Sequence, residues 1–293
     1  MTKPHHSPIS VRGIDFTSRP TARKPITCVY AQLAQGTLRF KNLARWDSFA
    51  GFETMVAQNG PWIAGMDFPF AQPRKLVSGV AWPLVWGDCI DVVGALSRVE
   101  FRQVLEDYKR DRPAGDRHHR RECDRLAASQ SPQTLYGTPV GLMFYEGAVR
   151  LKRSGVHLPH HQAGDRDRIV LETYPGLLAR SILGRRAYKN DTRAKQTQDQ
   201  AQARQDLLNA MIGGECLARY GFALDAPSDL AQDPGADDLD ALLCAIQAAW
   251  GWLHRDQRFG APAQVDRLEG WICDPALRMR PAHENRMSGG MVE

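Results

Sequence analysis

The stretch from Arg45 to Phe70, RWDSFAGFETMVAQNGPWIAGMDFPF, decides the fold because it places a helix directly before a buried strand. Apolar residues recur at helical spacing from Phe49 to Val56, and the pair Asn59-Gly60 is typical of a helix end. The apolar run from Trp62 ends in Asp67, as expected for a buried strand. The stretch therefore predicts a helical crossover between two strands of one sheet.

Three strands are predicted before this crossover, over residues 9–15 (ISVRGID), 26–33 (ITCVYAQL) and 37–43 (TLRFKNL). The last two read as a hairpin. Because a helix separates the third strand from the fourth, the fourth should run parallel to an earlier strand, and the right-handed crossover rule favours the first. Asp15 and Asp67 then end neighbouring central strands.

Residues 9–275 are predicted to form one domain. Its core comprises residues 9–71 and 166–275, with a partly helical insertion or lid over 72–165. A β-branched run that carries Glu172 resumes the core, and the last long helix begins at GADDLDALLCAIQAAW, residues 235–250. Residues 1–8 and 276–293 are predicted to be disordered tails.

The composition is that of an ordinary globular protein, with 43% hydrophobic residues and a net charge of +5 over 293 residues. No run approaches eighteen apolar residues, and the N-terminus has no apolar signal region, so we expect a cytoplasmic protein without a membrane partner. The six cysteines form no C-x-x-C pair. The charge permits a polyanionic partner without identifying one.

Acidic residues stand at the ends of otherwise apolar elements: Asp15, Asp67, Glu172, and the trio Asp237, Asp238 and Asp240. Each taken alone is explained as a turn or helix cap, with Asp237 as the N-cap of the last helix. Together, through the predicted topology, they converge on one cleft, where carboxylates repel one another unless a cation neutralises them. Oxygen ligands of this kind suit Mg²⁺ or Mn²⁺.

The segments GID, MDFPF, ETYP and DDLDALLCA, in this order and spacing, resemble the family called domain of unknown function 429, a group predicted to be RNase H-like nucleases. The resemblance covers most of the chain. It implies an α/β fold with a five-stranded mixed sheet, three strands antiparallel and two parallel, flanked by helices, and with a large, mostly helical insertion.

The resemblance also implies the roles of the acids. Asp15 would bridge two metal ions, Asp67 would be the ligand from the second strand, and Asp237 and Asp240 would be the ligands from the helix. Asp238 is expected to face water. Glu172 is a further catalytic candidate, and the reaction would be two-metal-ion hydrolysis of a phosphodiester bond in nucleic acid.

The basic segment GRRAYKNDTRAK, residues 184–195, supplies candidates for contact with substrate phosphate: Arg185, Lys189 and Lys195, together with Arg186. The resemblance favours Lys189. Aromatic residues of the insertion, among them Tyr136, either stack on bases or form a local core. Two alternatives remain open: a non-catalytic module that binds nucleic acid or protein, and an actin-like binder of nucleotide phosphate.

Overall fold

The computed structural model describes residues 7–190 and 192–278 and has an α/β architecture, a mixed sheet between two helical layers. The seven strands are β1 (Ile9–Asp15), β2 (Ile26–Ala34), β3 (Thr37–Trp46), β4 (Trp62–Asp67), β5 (Val156–His157), β6 (Asp165–Glu172) and β7 (Ala223–Asp225). The α-helices are α1 (Phe49–Ala57), α2 (Arg74–Gly79), α3 (Trp86–Ala95), α4 (Arg98–Arg110), α5 (Glu122–Ala127), α6 (Val140–Ser154), α7 (Pro175–Leu183), α8 (Gln198–Ala210), α9 (Cys216–Tyr220), α10 (Asp237–Leu253) and α11 (Pro275–Arg278).

The strand order across the sheet is β5-β6-β4-β1-β2-β3-β7. Strands β1, β2 and β3 form an antiparallel meander, and β4 pairs in parallel with β1, so the predicted crossover is confirmed. The prediction of five strands is wrong, because β5 and β7 add one strand to each edge. These two strands have only two and three residues. Segments so short carry no readable alternation of polar and apolar residues.

One face of the sheet is covered by α10, which is buried over nearly its whole length. Two strand glycines allow this close packing. A Cβ atom added at Gly13 would lie 1.9 Å from the carbonyl oxygen of Ala241, and one added at Gly65 would lie 2.4 Å from that of Cys244. Gly13 and Gly65 are register partners on β1 and β4. Only glycine lets the helix backbone approach the strand backbone at this point.

The opposite face of the sheet is covered by α1 and by helices of residues 72–165, the segment predicted as an insertion or lid. Its buried residues Trp86, Phe101 and Phe144 share one core with Ile14 and Met66 of the central strands. Most of the segment therefore forms the second helical layer. Within this segment, the stretch 137–143 borders an open cavity at the ends of β1 and β4.

Both predicted tails lie largely outside the described residues, which exclude 1–6 and 279–293. Helix α11 covers the first residues of the segment predicted as the C-terminal tail, and its Leu277 is buried. In the described parts of the chain, no helix combines the length and apolar character needed to cross a membrane.

Candidate active site

Asp15 and Asp67 lie side by side where β1 and β4 end, because the two residues are register partners in the parallel pair. Each follows its strand's glycine by two positions, so both side chains lie on the face that α10 covers. Both residues line an open cavity of about 730 Å³. Within the described residues, neither carboxylate receives a hydrogen bond or forms an ion pair. The strand ends thus present two unpaired acids to the cavity.

Helix α10 begins beside these strand ends, and its start is organised by Asp233, a residue that no sequence pattern singled out. Asp233 accepts hydrogen bonds from the backbone N–H of Gly235 at 3.2 Å and of Asp237 at 2.7 Å. The N-cap position belongs to Ala236, which adopts a left-handed conformation with φ 62°. The alternative that Asp237 caps the helix is therefore wrong. With capping supplied by Asp233, the side chains of Asp237 and Asp240 are left for other contacts.

Two lysines contact the helix acids. Lys24, on the loop between β1 and β2, donates a hydrogen bond to Asp237 at 2.5 Å. Lys189 forms an ion pair with Asp240, whose other oxygen accepts a hydrogen bond from the Tyr188 hydroxyl at 2.8 Å. We call Asp15, Asp67, Asp237 and Asp240 the carboxylate cluster. Its four acids are accompanied by two lysines, a formal excess of two negative charges.

Burial and mutual repulsion shift the pKa values of the strand acids. Burial, reinforced by the charge of Asp237, raises the pKa of Asp15 well above its usual value. Burial raises the pKa of Asp67 to about 7, although Lys189 acts in the opposite direction. Burial lowers the pKa of Lys189, but Asp240 and other neighbouring groups raise it by more, so this lysine stays charged. The cluster is therefore short of positive charge at the two strand ends.

Glu172 lines a second cavity together with Asp67, but its carboxylate is fully engaged by other groups. Its carboxylate accepts hydrogen bonds from the guanidinium of Arg121, one of them at 2.8 Å, and from the backbone N–H of Phe70 at 2.9 Å. Arg121 also forms a bidentate pair with Asp124, with both distances 2.9 Å. We call Arg121, Asp124 and Glu172 the Arg121 network. The side chains of Arg121, Asp124 and Glu172 are 1%, 3% and 4% exposed, so this network is interior.

The expectation that Asp238 faces water is wrong. Its side chain is 6% exposed and pairs with Arg45 of β3 at 2.5 Å. Asp238 points away from the cluster, as its position on the helix predicts, but the loop and strand beside it bury that side as well.

The phosphate candidates occupy different places. Lys189 lines both the 730 Å³ cavity and a neighbouring cavity of about 430 Å³, and Asp67 lies on the wall between the two. Arg185 lines the smaller cavity and is exposed. Arg186 lines it too but pairs with Asp206 at 2.5 Å. Lys195 is exposed and lines neither cavity.

Lys24, Tyr188 and Arg121 were not predicted from the sequence as members of these sites. Lys24 is far along the chain from Asp237, as Arg121 is from Glu172, and no spacing rule connects either pair. A signal for the strand acids was present in the repeated pattern Gly-x-Asp, GID at 13–15 and GMD at 65–67. The repeat predicts two strands of the same register, each with a glycine for close helix packing before its acid.

The oxygen donors of the carboxylate cluster suit a hard divalent cation. In the described part of the chain, no three His, Cys, Asp or Glu side chains stand ready to hold a metal ion. Two of the cluster's acids are engaged by lysines instead. One buried oxygen nearby has no partner among the described residues: Thr27 Oγ1, which belongs to the register partner of Asp15 on β2. The cluster thus has excess negative charge and unsatisfied oxygens, as a cation site would.

Comparison with known proteins gives one match. No curated protein and no solved structure matches the chain. A family model matches residues 13–266, which include β1 from its glycine onward, both helical layers, and all the acids and lysines of the two buried groups. The chain therefore belongs to the family described as protein of unknown function (DUF429).

Proposed function

We propose that this chain is a metal-dependent hydrolase of phosphodiester bonds in nucleic acid, a nuclease with an RNase H-like core. The observation that carries the proposal is the pair Asp15 and Asp67, which lie in register at the edge of an open cavity without hydrogen bond or ion pair among the described residues. A purely structural role does not explain two largely buried, adjacent acids left unpaired, because such groups destabilise the fold.

The charge of the cluster supports Mg²⁺ or Mn²⁺ as the missing partner. A divalent cation would cancel the formal excess of two negative charges, and carboxylate oxygens are its preferred ligands. Asp15 and Asp67 would hold it from the strands, and Asp237 and Asp240 from the helix. When bound, such an ion supplies Lewis acidity to a phosphate group and lowers the pKa of water.

The chain's own residues would orient the substrate. Lys189 reaches both cavities beside the cluster, so its ammonium group is placed to contact a phosphate at the wall between them. Arg185 extends the positive surface into the smaller cavity. Glu172 is not assigned a reacting role, because Arg121 and Phe70 already occupy its oxygens.

The test is cleavage of labelled DNA and RNA oligonucleotides with Mg²⁺ or Mn²⁺. We expect Asp15→Asn and Asp67→Asn to lower the cleavage rate by about a thousandfold or more, because Lewis-acid catalysis contributes several kcal/mol to such reactions. Asp225→Asn is the matched control, since Asp225 is 69% exposed on β7 and belongs to no cluster. A wild type that cuts nothing, or an Asp15→Asn variant that cuts as fast as wild type, contradicts the proposal.

Thermal stability with Mn²⁺ and with chelator gives an independent test. A site in hundredfold excess of ligand over its Kd gains about 2.7 kcal/mol of stability. The wild type and Asp225→Asn should show such a gain, and Asp15→Asn and Asp67→Asn should not. A gain without cleavage would instead favour a non-catalytic, cation-dependent binding module.

A further inference from the structure

We infer that the surface formed by Lys75, His118, Arg120, Arg125 and Tyr136 binds a single-stranded segment of the substrate polynucleotide beside the candidate active site. We call this surface the Tyr136 platform. The inference rests on the proposed function for the identity of the substrate, and it adds the strand state and the place where the strand is held.

Tyr136 differs from the large aromatic residues of the insertion that form its core. The residue is 70% exposed, whereas Trp86, Phe101 and Phe144 are at most 3% exposed. Its ring meets only that of His118 among the described residues, edge-on, with centroids 6.1 Å apart. The sequence left open whether these aromatic residues stack on bases or pack together, and the structure separates the two groups. Tyr136 presents a ring to solvent that local packing does not use.

The backbone beneath this ring is held by buried polar side chains. Gln133, which is fully buried, accepts a hydrogen bond from the backbone N–H of His119 at 2.7 Å. Ser131 donates a hydrogen bond to the His119 carbonyl oxygen at 2.5 Å, and the His119 ring contacts the Tyr108 hydroxyl at 2.9 Å. These contacts join the segment before Tyr136 to the segment that carries His118 and Arg120. The platform is therefore preorganised, which lowers the entropic cost of binding.

The platform has the charge expected for a phosphate backbone. Arg120 and Arg125 line one open cavity of about 860 Å³ together with Tyr136, His118 and Lys75, whose ammonium group forms an ion pair with Asp116. The acid on its wall, Glu269, is engaged by the backbone N–H of Arg74 at 2.7 Å. Burial lowers the pKa of His118, so its ring is neutral at pH 7 and offers a stacking surface rather than a charge.

The position of the platform connects it to the candidate active site. Thr138, two residues after Tyr136, lines the platform cavity and both cavities beside the carboxylate cluster. A strand lying on the platform would thus continue past Thr138 toward Asp67. Only an unpaired base exposes its face to a ring such as Tyr136, which is why we assign a single strand rather than a duplex.

The test measures fluorescence anisotropy of a labelled single strand of about 15 nucleotides, near the upper size of single-strand sites. Chelator is present, so that no cleavage occurs. We expect Tyr136→Ala to raise Kd about tenfold because base stacking is removed, and Tyr136→Trp to restore binding. We expect Arg120→Glu/Arg125→Glu to raise Kd by at least about tenfold. It should also make the salt dependence shallower by about 0.7 in log–log slope for each phosphate that is no longer neutralised.

The control is Arg39→Glu/Arg219→Glu, which makes the same change in charge at residues that line none of the three cavities and pair with Asp225 and Glu215. It should bind like wild type. Tyr136→Ala should keep the wild-type melting temperature, since its ring is solvent-exposed. A Tyr136→Ala variant that binds like wild type overturns the inference, as does equally tight binding of a duplex.

Failure of this inference is distinct from failure of the proposed function. If wild type cleaves a dinucleotide but Tyr136→Ala binds long strands normally, the nuclease proposal stands and the platform is wrong. If the platform variants lose single-strand binding while wild type cleaves nothing with Mn²⁺, the platform stands and the catalytic proposal fails.

Discussion

The carboxylate cluster and the Arg121 network are both buried groups of acids at the same end of the sheet, but they are neutralised in different ways. In the Arg121 network, one guanidinium fills the space between Asp124 and Glu172 and donates to both. In the carboxylate cluster, the lysines among the described residues contact only the helix acids, and the two strand acids face an open cavity.

This difference separates the two groups more clearly than burial or pKa does. Burial raises the pKa of Glu172 as well as that of Asp67. What distinguishes them is that Glu172 already has its hydrogen-bond donors and Asp67 has none among the described residues. Substitutions in the two groups should therefore have different consequences.

The largest expected effect comes from breaking the Arg121 network. Arg121→Met leaves Asp124 and Glu172 buried without a counter-charge, which costs about 3–5 kcal/mol of unfolding free energy. Urea denaturation with and without Mn²⁺ measures it. Arg74→Met is the control, because the Arg74 side chain is 45% exposed and its pair with Asp266 contributes at most about 1 kcal/mol. Equal losses for the two variants would contradict the structural role of Arg121.

The second effect comes from moving the helix that carries half of the cluster. Gly65→Ala places a Cβ atom against the backbone of α10, and we expect a loss of about 3 kcal/mol because backbone cannot yield locally. Gly115→Ala is the matched control, since an added Cβ there meets none of the described residues within 4 Å. Surviving Gly65→Ala protein should also lose its stabilisation by Mn²⁺. A Gly65→Ala protein as stable as Gly115→Ala would contradict the close packing.

The third effect is a change in unfolding free energy that should have opposite signs in the carboxylate cluster and in the Arg121 network. Asp67→Asn and Glu172→Gln each replace a carboxylate by an amide of the same shape. We expect Glu172→Gln to lower unfolding free energy by about 2 kcal/mol, because it loses charged hydrogen bonds from Arg121. Asp67→Asn should raise it in chelator at pH 8, because it removes an unpaired buried charge. Urea denaturation at pH 8 compares them. If both variants changed the unfolding free energy in the same direction, the distinction between the two groups would be contradicted.

The last comparison is the pH dependence of the stability gain expected for Asp67→Asn. Folded Asp67 holds its proton up to a pKa of about 7, while the unfolded chain releases it near the ordinary value of 3.8. Between these values the folded state binds more protons, so this group's contribution to stability falls as pH rises and is constant above about 7. The advantage of Asp67→Asn over wild type should therefore vanish near pH 4, grow as the pH rises, and reach its full value above about pH 7.

Buried histidines make stability rise with pH, opposite to the effect of Asp67. The pH dependence must therefore be measured as the difference between the variant and wild type. Burial lowers the pKa of His161 to about 3 and that of His160 to about 4. Their stabilising contribution is present above an ordinary histidine pKa of about 6.5 and is lost as pH falls. It is common to both proteins and cancels in the difference. A difference that does not change with pH would contradict the shifted pKa of Asp67.

The sequence was sufficient to predict the adjacency of Asp15 and Asp67, because the helix before Trp62 requires a parallel crossover. It also predicted that α10 brings its acids to the same place. It did not predict Lys24, Asp233 or Arg121. Lys24 and Arg121 reach partners on distant elements, and Asp233 caps α10 through a local turn; no periodic pattern of apolar residues records such contacts. The exposure predicted for Asp238 was wrong because Arg45, on the distant strand β3, pairs with it.

The contact at Gly13 and Gly65 has a consequence for how the site tolerates change. Elsewhere in the core, the separation of helix and sheet is set by side chains, which can repack when a neighbour is substituted. At these two glycines, main chain touches main chain, so the separation is fixed by atoms that every residue shares. Asp15 and Asp67 lie only two residues beyond this contact. Relatives could therefore diverge widely in their core residues while the spacing between strand acids and helix acids stays constant.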